Sequence, residues 1–110
     1  MPGPGQDIFN IIGGSKFRSA VQAVWMKALP TGIEFPHKQG RKGINHCRIT
    51  LNDEGTYYME FFRMQERFPT LVLTKEAIPG LELAMHFKRV TGVNTVPRIS
   101  KAVKAKKDTT

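Results

Sequence analysis

The chain has 110 residues, 40% of them hydrophobic and 24% charged, with a formal charge of +8 and a pI near 10.0. That leaves room for one domain with a modest core, and the basic balance favours anionic partners such as nucleic acid or an acidic protein surface. One cysteine excludes an internal disulfide, no apolar run approaches the roughly 18 residues of a membrane span, and no signal-peptide pattern opens the chain. A cytoplasmic protein with no membrane partner is expected.

Residues 1–6, where Pro2 and Pro4 alternate with Gly3 and Gly5, read as a flexible N-terminus ahead of a single domain over 7–93. Asp7 is the expected N-cap of a short helix carrying Ile8, Phe9, Ile11 and Ile12, stopped by Gly13 and Gly14. Gly13-Gly14-Ser15-Lys16 lacks both the earlier glycine and the preceding strand of a phosphate-binding P-loop, so a helix stop is the simpler reading. Phe17 to Ala28 fits either a helix, with Val21, Val24 and Trp25 at helical spacing, or an extended run. Trp25 is expected as a core anchor. Leu29 to Gly32 reads as a turn, and Ile33-Glu34-Phe35 as a short strand closed by Pro36. His37 to Gly43 is a polar loop whose Lys38, Arg41 and Lys42 face either phosphates or solvent.

The strongest pattern runs from Gly43 to Met64. Cys47, Ile49 and Leu51 alternate with His46, Arg48 and Thr50; Tyr57, Met59 and Phe61 alternate with Tyr58, Glu60 and Phe62. This period of two predicts a hairpin. Asp53-Glu54-Gly55 forms its three-residue loop, with Gly55 at the left-handed position of a bulge. That loop sets Leu51 against Tyr57, Ile49 against Met59 and Cys47 against Phe61, with Arg48 opposite Glu60 on the other face. A slip of one residue would mix the two faces.

Phe68 to Leu73 reads as a further strand, marked as an edge by Pro69, and Thr74 to Pro79 as a connection. A helix is predicted from Pro79 to about Val90, stopped at Thr91-Gly92, with Leu83, Ala84, Phe87 and Val90 on its apolar face. It should cover Tyr57, Met59 and Phe61. The expected fold class is therefore α+β: a small antiparallel β-meander of three to four strands, with a short N-terminal helix, a C-terminal helix packed on one face, and a basic flexible tail. That tail, residues 94–110, holds Arg98, Lys101, Lys104, Lys106 and Lys107 against Asp108 alone, half of the net charge. So short and charged a segment is either disordered or helical only on a partner.

Little in the sequence points to catalysis. His46 and Cys47 are strand neighbours, so their side chains leave opposite faces and cannot act as base and nucleophile. His37, His46 and His86 have no metal-ligand spacing. No metal, no cofactor and no enzymatic activity are expected. The outer hairpin face is more suggestive: Arg48, Tyr58 and Phe62 place aromatic rings beside a cation, the arrangement that binds single strands on several sheet modules. The alternative is that residues 17–28 cover this face and make Tyr58 and Phe62 a second core layer.

The order of Ile11-Ile12-Gly13-Gly14-Ser15-Lys16-Phe17, Gly32-Ile33-Glu34-Phe35-Pro36, Ile44-Asn45 with Arg48-Ile49-Thr50-Leu51, Thr56-Tyr57 with Met59-Glu60-Phe61, and Phe87 with Thr91-Gly92-Val93 resembles a family of short, uncharacterised bacteriophage and prophage proteins. The similarity spans roughly residues 8 to 93; the match is poor over 16 to 31. It implies a common fold and a bacterial host cell, and brings no activity or functional residues with it. Charge and resemblance together lead to the expectation of a small phage-type nucleic-acid-binding protein acting through its basic loop and tail. The alternatives are a protein-interaction module that inhibits or modulates an acidic host protein, and a virion or assembly component.

Overall fold

A computed structural model describes residues 3–96 of the chain. Three α-helices and five strands follow the order α1 (Pro4–Ile12), α2 (Gly14–Val21), β1 (Lys27–Leu29), β2 (Gly32–Pro36), β3 (His46–Leu51), β4 (Tyr57–Gln65), β5 (Phe68–Ile78) and α3 (Leu83–Thr91). Short 3-10 turns at Arg41–Gly43 and Gly80–Glu82 precede β3 and α3. The strands form one antiparallel sheet in sequential order, a five-stranded meander.

The β3–β4 hairpin has the register that the alternation requires: Cys47 pairs with Phe61, Ile49 with Met59 and Leu51 with Tyr57, while Arg48 pairs with Glu60 and His46 with Phe62. Asn52 closes the turn by accepting from the backbone N–H groups of Glu54 (2.9 Å) and Thr56 (3.1 Å), and Gly55 has φ 83°. β2 extends the same two faces, with Phe35 beside Cys47 and Ile33 beside Ile49.

All three helices pack against that apolar face. Phe17 of α2 meets Phe35 and Phe87 edge-on at 5.6 and 5.2 Å, and Phe87 of α3 also lies 6.3 Å from Phe61. Phe17, Phe35, Phe61 and Phe87 are all fully buried. Removing one such ring costs on the order of 3–5 kcal/mol, because burial is lost and a cavity remains. The helix predicted over the meander is thus present, and Tyr57, Met59 and Phe61 lie beneath the helical layer.

Several boundaries depart from the sequence reading. α1 starts at Pro4 with Gly3 as its cap, so Asp7 lies inside the first turn and not at the cap; Pro4 at the first helical position supplies a preset φ and needs no N–H partner there. Phe17 lies within helix α2, which ends at Gln22 in the left-handed conformation, and Lys27–Leu29 adds a fifth strand on the edge. β5 runs on to Ile78, through the segment Thr74 to Pro79 read as a connection. Irregular register between Tyr57 and Met59 and between Phe61 and Phe62 keeps it paired. Trp25, expected as a core anchor, is 45% exposed. No described helix is long and apolar enough to cross a membrane.

Candidate functional site

The outer face of the sheet carries a row of alternating charge. Lys27, Glu34, Arg48 and Glu60 stand side by side on β1 to β4. Arg48 donates to Glu60 Oε1 at 3.2 Å and lies 3.8 Å from Glu34, whose other oxygen accepts from His46 Nε2 at 2.6 Å. The next row sets Trp25 tilted against His46 (5.8 Å between centroids) and His46 edge-on to Phe62 (5.9 Å), with the Arg48 guanidinium 5.1 Å from the Phe62 ring. α2 lies on the opposite face, so no described helix covers this one; of residues 17–28, Trp25 reaches over it onto His46, and Phe62 is covered by His46 and Arg48. Phe62 is 8% exposed and Tyr58 half-buried. Arg48 thus engages two carboxylates and a ring, which leaves it little capacity for an incoming phosphate.

The loop that feeds β3 is built differently. His37 N–H donates to the Asn45 carbonyl (2.8 Å), Lys38 N–H to Val21 (2.9 Å) and Gly40 N–H to Ile44 (2.8 Å). The Asn45 side chain clamps Met64 of β4, accepting its N–H at 2.8 Å and donating to its carbonyl at 3.2 Å. Gly40 passes so close to α3 that a Cβ there would lie 2.3 Å from the Thr91 carbonyl oxygen. Arg41 Nη1 then donates to the Arg89 carbonyl at 2.8 Å, and Arg63 Nη1 to the Lys42 carbonyl at 3.2 Å.

These contacts collect cations that are far apart in sequence. Arg41 and Lys42 from the 3-10 turn, Arg63 from β4, and Lys88 and Arg89 from the last turn of α3 share one end of the sheet, with Lys38 on the same loop. Among the described residues none of the six has a carboxylate partner. Arg41, Lys88 and Arg89 border a groove together with Met85. The loop cations Lys38, Arg41 and Lys42 were legible in the sequence; Arg63, Lys88 and Arg89 were not. On paper these three are isolated charges on a strand and on a helix's polar side. Only the folding of the loop against both elements makes them neighbours. The tail cations Arg98, Lys101, Lys104, Lys106 and Lys107 lie outside the described residues.

Two buried groups lie in the fold's interior. His37 is 5% exposed, packs edge-on against Phe87 at 4.9 Å, and donates Nδ1–H to the Lys38 carbonyl at 2.7 Å, while its Nε2 has no partner among the described residues. Burial lowers its pKa from 6.5 to about 4, against the opposing effect of the Lys38 carbonyl; a nearby His46 adds slightly. Cys47 is fully buried, and burial, with the Glu60 charge behind it, pushes its thiol well above the ordinary range. Among the described residues no group of histidine, cysteine and carboxylate side chains converges to hold a metal ion.

Fold and site together define a five-stranded antiparallel α+β domain with a basic patch at one end of its sheet. No protein-family model, no curated protein and no solved structure matches the chain.

Proposed function

We propose that this is a small nucleic-acid-binding protein, of the phage type its sequence resemblance suggests, and that it acts through its basic end and its tail. One observation carries the reading. Lys38, Arg41, Lys42, Arg63, Lys88 and Arg89 converge on one end with no carboxylate partner among the described residues. Cations gathered without counter-charge cost electrostatic self-repulsion, which a polyanion relieves. The tail, with five more basic groups, follows shortly after α3 in sequence. Binding works by phosphate neutralisation and release of counterions, and is largely indifferent to sequence because phosphates carry no base information.

Titrating the full-length protein with oligonucleotides at two salt concentrations tests this. Five tail cations on phosphates contribute a log–log salt slope of about −3.5 on single strands or about −4.5 on duplex. Deleting 94–110 should remove that part of the slope and leave the part owed to the basic end. Undetectable binding at low salt would end the reading.

A second reading, a module that binds an acidic host protein, has one observation in its favour. Leu81 is 95% exposed in the 3-10 turn before α3, and Met85, four residues on in α3, is 42% exposed beside Arg41, Lys88 and Arg89. Such a reading forecasts weak oligonucleotide binding from the start, and partner binding that survives nuclease and is lost in Leu81→Glu.

A further inference from the structure

Resting on the nucleic-acid reading above, we infer that Phe68 is the base-stacking platform of the basic end, and that the ligand taken there is single-stranded nucleic acid. β4 and β5 run past the start of β3: His46 pairs with Phe62, and the pairs Arg63–Thr70, Met64–Pro69 and Gln65–Phe68 lie beyond it. The projecting hairpin closes through a two-residue turn, Glu66-Arg67, with Glu66 held at φ 57°. Phe68 leaves that turn 72% exposed, the most exposed aromatic ring among the described residues. An unsupported phenylalanine at a hairpin tip contributes nothing to this core, and burying it against a partner is favourable.

Its position relative to the cations is what suggests the ligand. Side chains alternate along the regular stretch from Phe62 to Gln65, so Gln65 and Phe68 share a face with Arg63 and Thr70. That is the face of Phe61, against which α3 packs. Arg63 reaches the Lys42 carbonyl, and Arg41 reaches the Arg89 carbonyl. A continuous basic track therefore crosses one face from Lys88 and Arg89, through Arg41 and Lys42, to Arg63. It ends about 7 Å further along the strand, at the Gln65–Phe68 pair, where the turn adds one charge of each sign, Glu66 and Arg67. A charged track leading to an exposed aromatic ring is how proteins hold single strands without sequence preference: the cations follow the backbone and an unpaired base stacks on the ring. Duplex DNA offers the same phosphates but keeps its bases stacked on each other, so the ring gains nothing from it. This assignment moves stacking from Phe62, whose ring is covered by Arg48 and His46, to a residue of the hairpin tip.

The test is anisotropy titration of the full-length protein with an oligothymidylate and with a duplex of equal length. Phe68→Ala should weaken single-strand binding by about ten-fold or more, leave the salt slope unchanged, and leave duplex binding as it was; Phe68→Trp should restore affinity. Since Phe68 is exposed, neither change threatens the fold, and melting curves verify that. Unaltered single-strand affinity in Phe68→Ala, while Lys42→Ala with Lys88→Ala weakens it, would overturn the stacking role and leave the basic-end reading standing. An equal loss on duplex and single strand would overturn the choice of ligand. If no oligonucleotide binds the native protein at low salt, the inference and the reading it rests on both fail.

Discussion

The two ends of the sheet solve the same problem, joining one strand to the next, in opposite ways. At the β3–β4 turn every bond lies within five residues: Asn52 accepts from Glu54 and Thr56, its amide donates to Thr56 Oγ1 at 2.7 Å, and its backbone closes on Thr56 at 2.9 Å. At the other end the loop from His37 to Asn45 depends on partners far along the chain, including Val21, Met64 and Arg89. Charge divides along the same axis. Asp53, Glu54, Glu76 and Glu82 lie toward the turn end, while the loop end holds the six cations that have no carboxylate partner among the described residues, with Glu66 as an acid at its hairpin tip. The β3–β4 turn closes on its own residues, whereas the His37–Asn45 loop takes its path only once α2, α3 and β4 are assembled. The basic patch therefore reports on the integrity of the whole fold.

Acid should separate the two ends most. His37 stays neutral in the folded protein with a pKa of about 4, against 6.5 when unfolded. The unfolded chain then binds more protons between those values. The contribution of His37 to stability is complete above about pH 6.5 and is lost as the pH drops toward 4, by roughly 3 kcal/mol in all. Denaturant melts at neutral and mildly acidic pH measure this, and His37→Gln should flatten the dependence. A stability equally steep in the variant would mean that the loss arises elsewhere.

Next in size is Gly40→Ala. Its Cβ meets the Thr91 carbonyl oxygen and Cβ, at 2.3 and 3.0 Å, so either the loop or the end of α3 must shift. Overpacking of this kind costs about 2 kcal/mol, and oligonucleotide affinity should fall with it because Arg41 and Lys42 lose their placement. At the turn end Gly55→Val meets nothing within 4 Å and is penalised only by φ 83°. The expected cost is about 1 kcal/mol, with binding untouched. Finding that Gly55→Val impairs binding as much as Gly40→Ala would erase the distinction between the ends.

How much of this was legible beforehand follows from the range of the interactions. The hairpin register needed only alternation and a turn, both local, and it could be read down to the individual pairs. The apolar face of α3 was equally readable, since Leu83 and Phe87 repeat at helical spacing and both are fully buried. Lys27–Leu29 was missed because three residues carry no period, and pairing with β2 alone makes them a strand. Trp25 was assigned to the core on size, yet its ring lies half-exposed over His46, held by a loop whose path the Arg18 side chain sets by donating to the carbonyls of Ala23 (3.0 Å) and Val24 (3.1 Å).

By itself the sequence determined what depends on neighbours in the chain: two faces for each central strand, one hairpin register, the stops at Gly13 and Gly92, and an excess of positive charge. Side-chain direction follows from local backbone geometry, and a short turn leaves no freedom of register. Tertiary structure alone decided which charges became neighbours. Glu34 joins Glu60, the partner the hairpin register already gave Arg48, in drawing it into a neutral row, while Arg63, Lys88 and Arg89 join Arg41 and Lys42 at a patch that no spacing announced. It also decided which rings were spent on the fold and which were left outside: Phe62 is covered by Arg48 and His46, and Phe68 stands at a hairpin tip. Composition counts charges and rings, but rings act only in contact and exposed charges are screened beyond about 8–10 Å, so only the folded chain settles which of them meet.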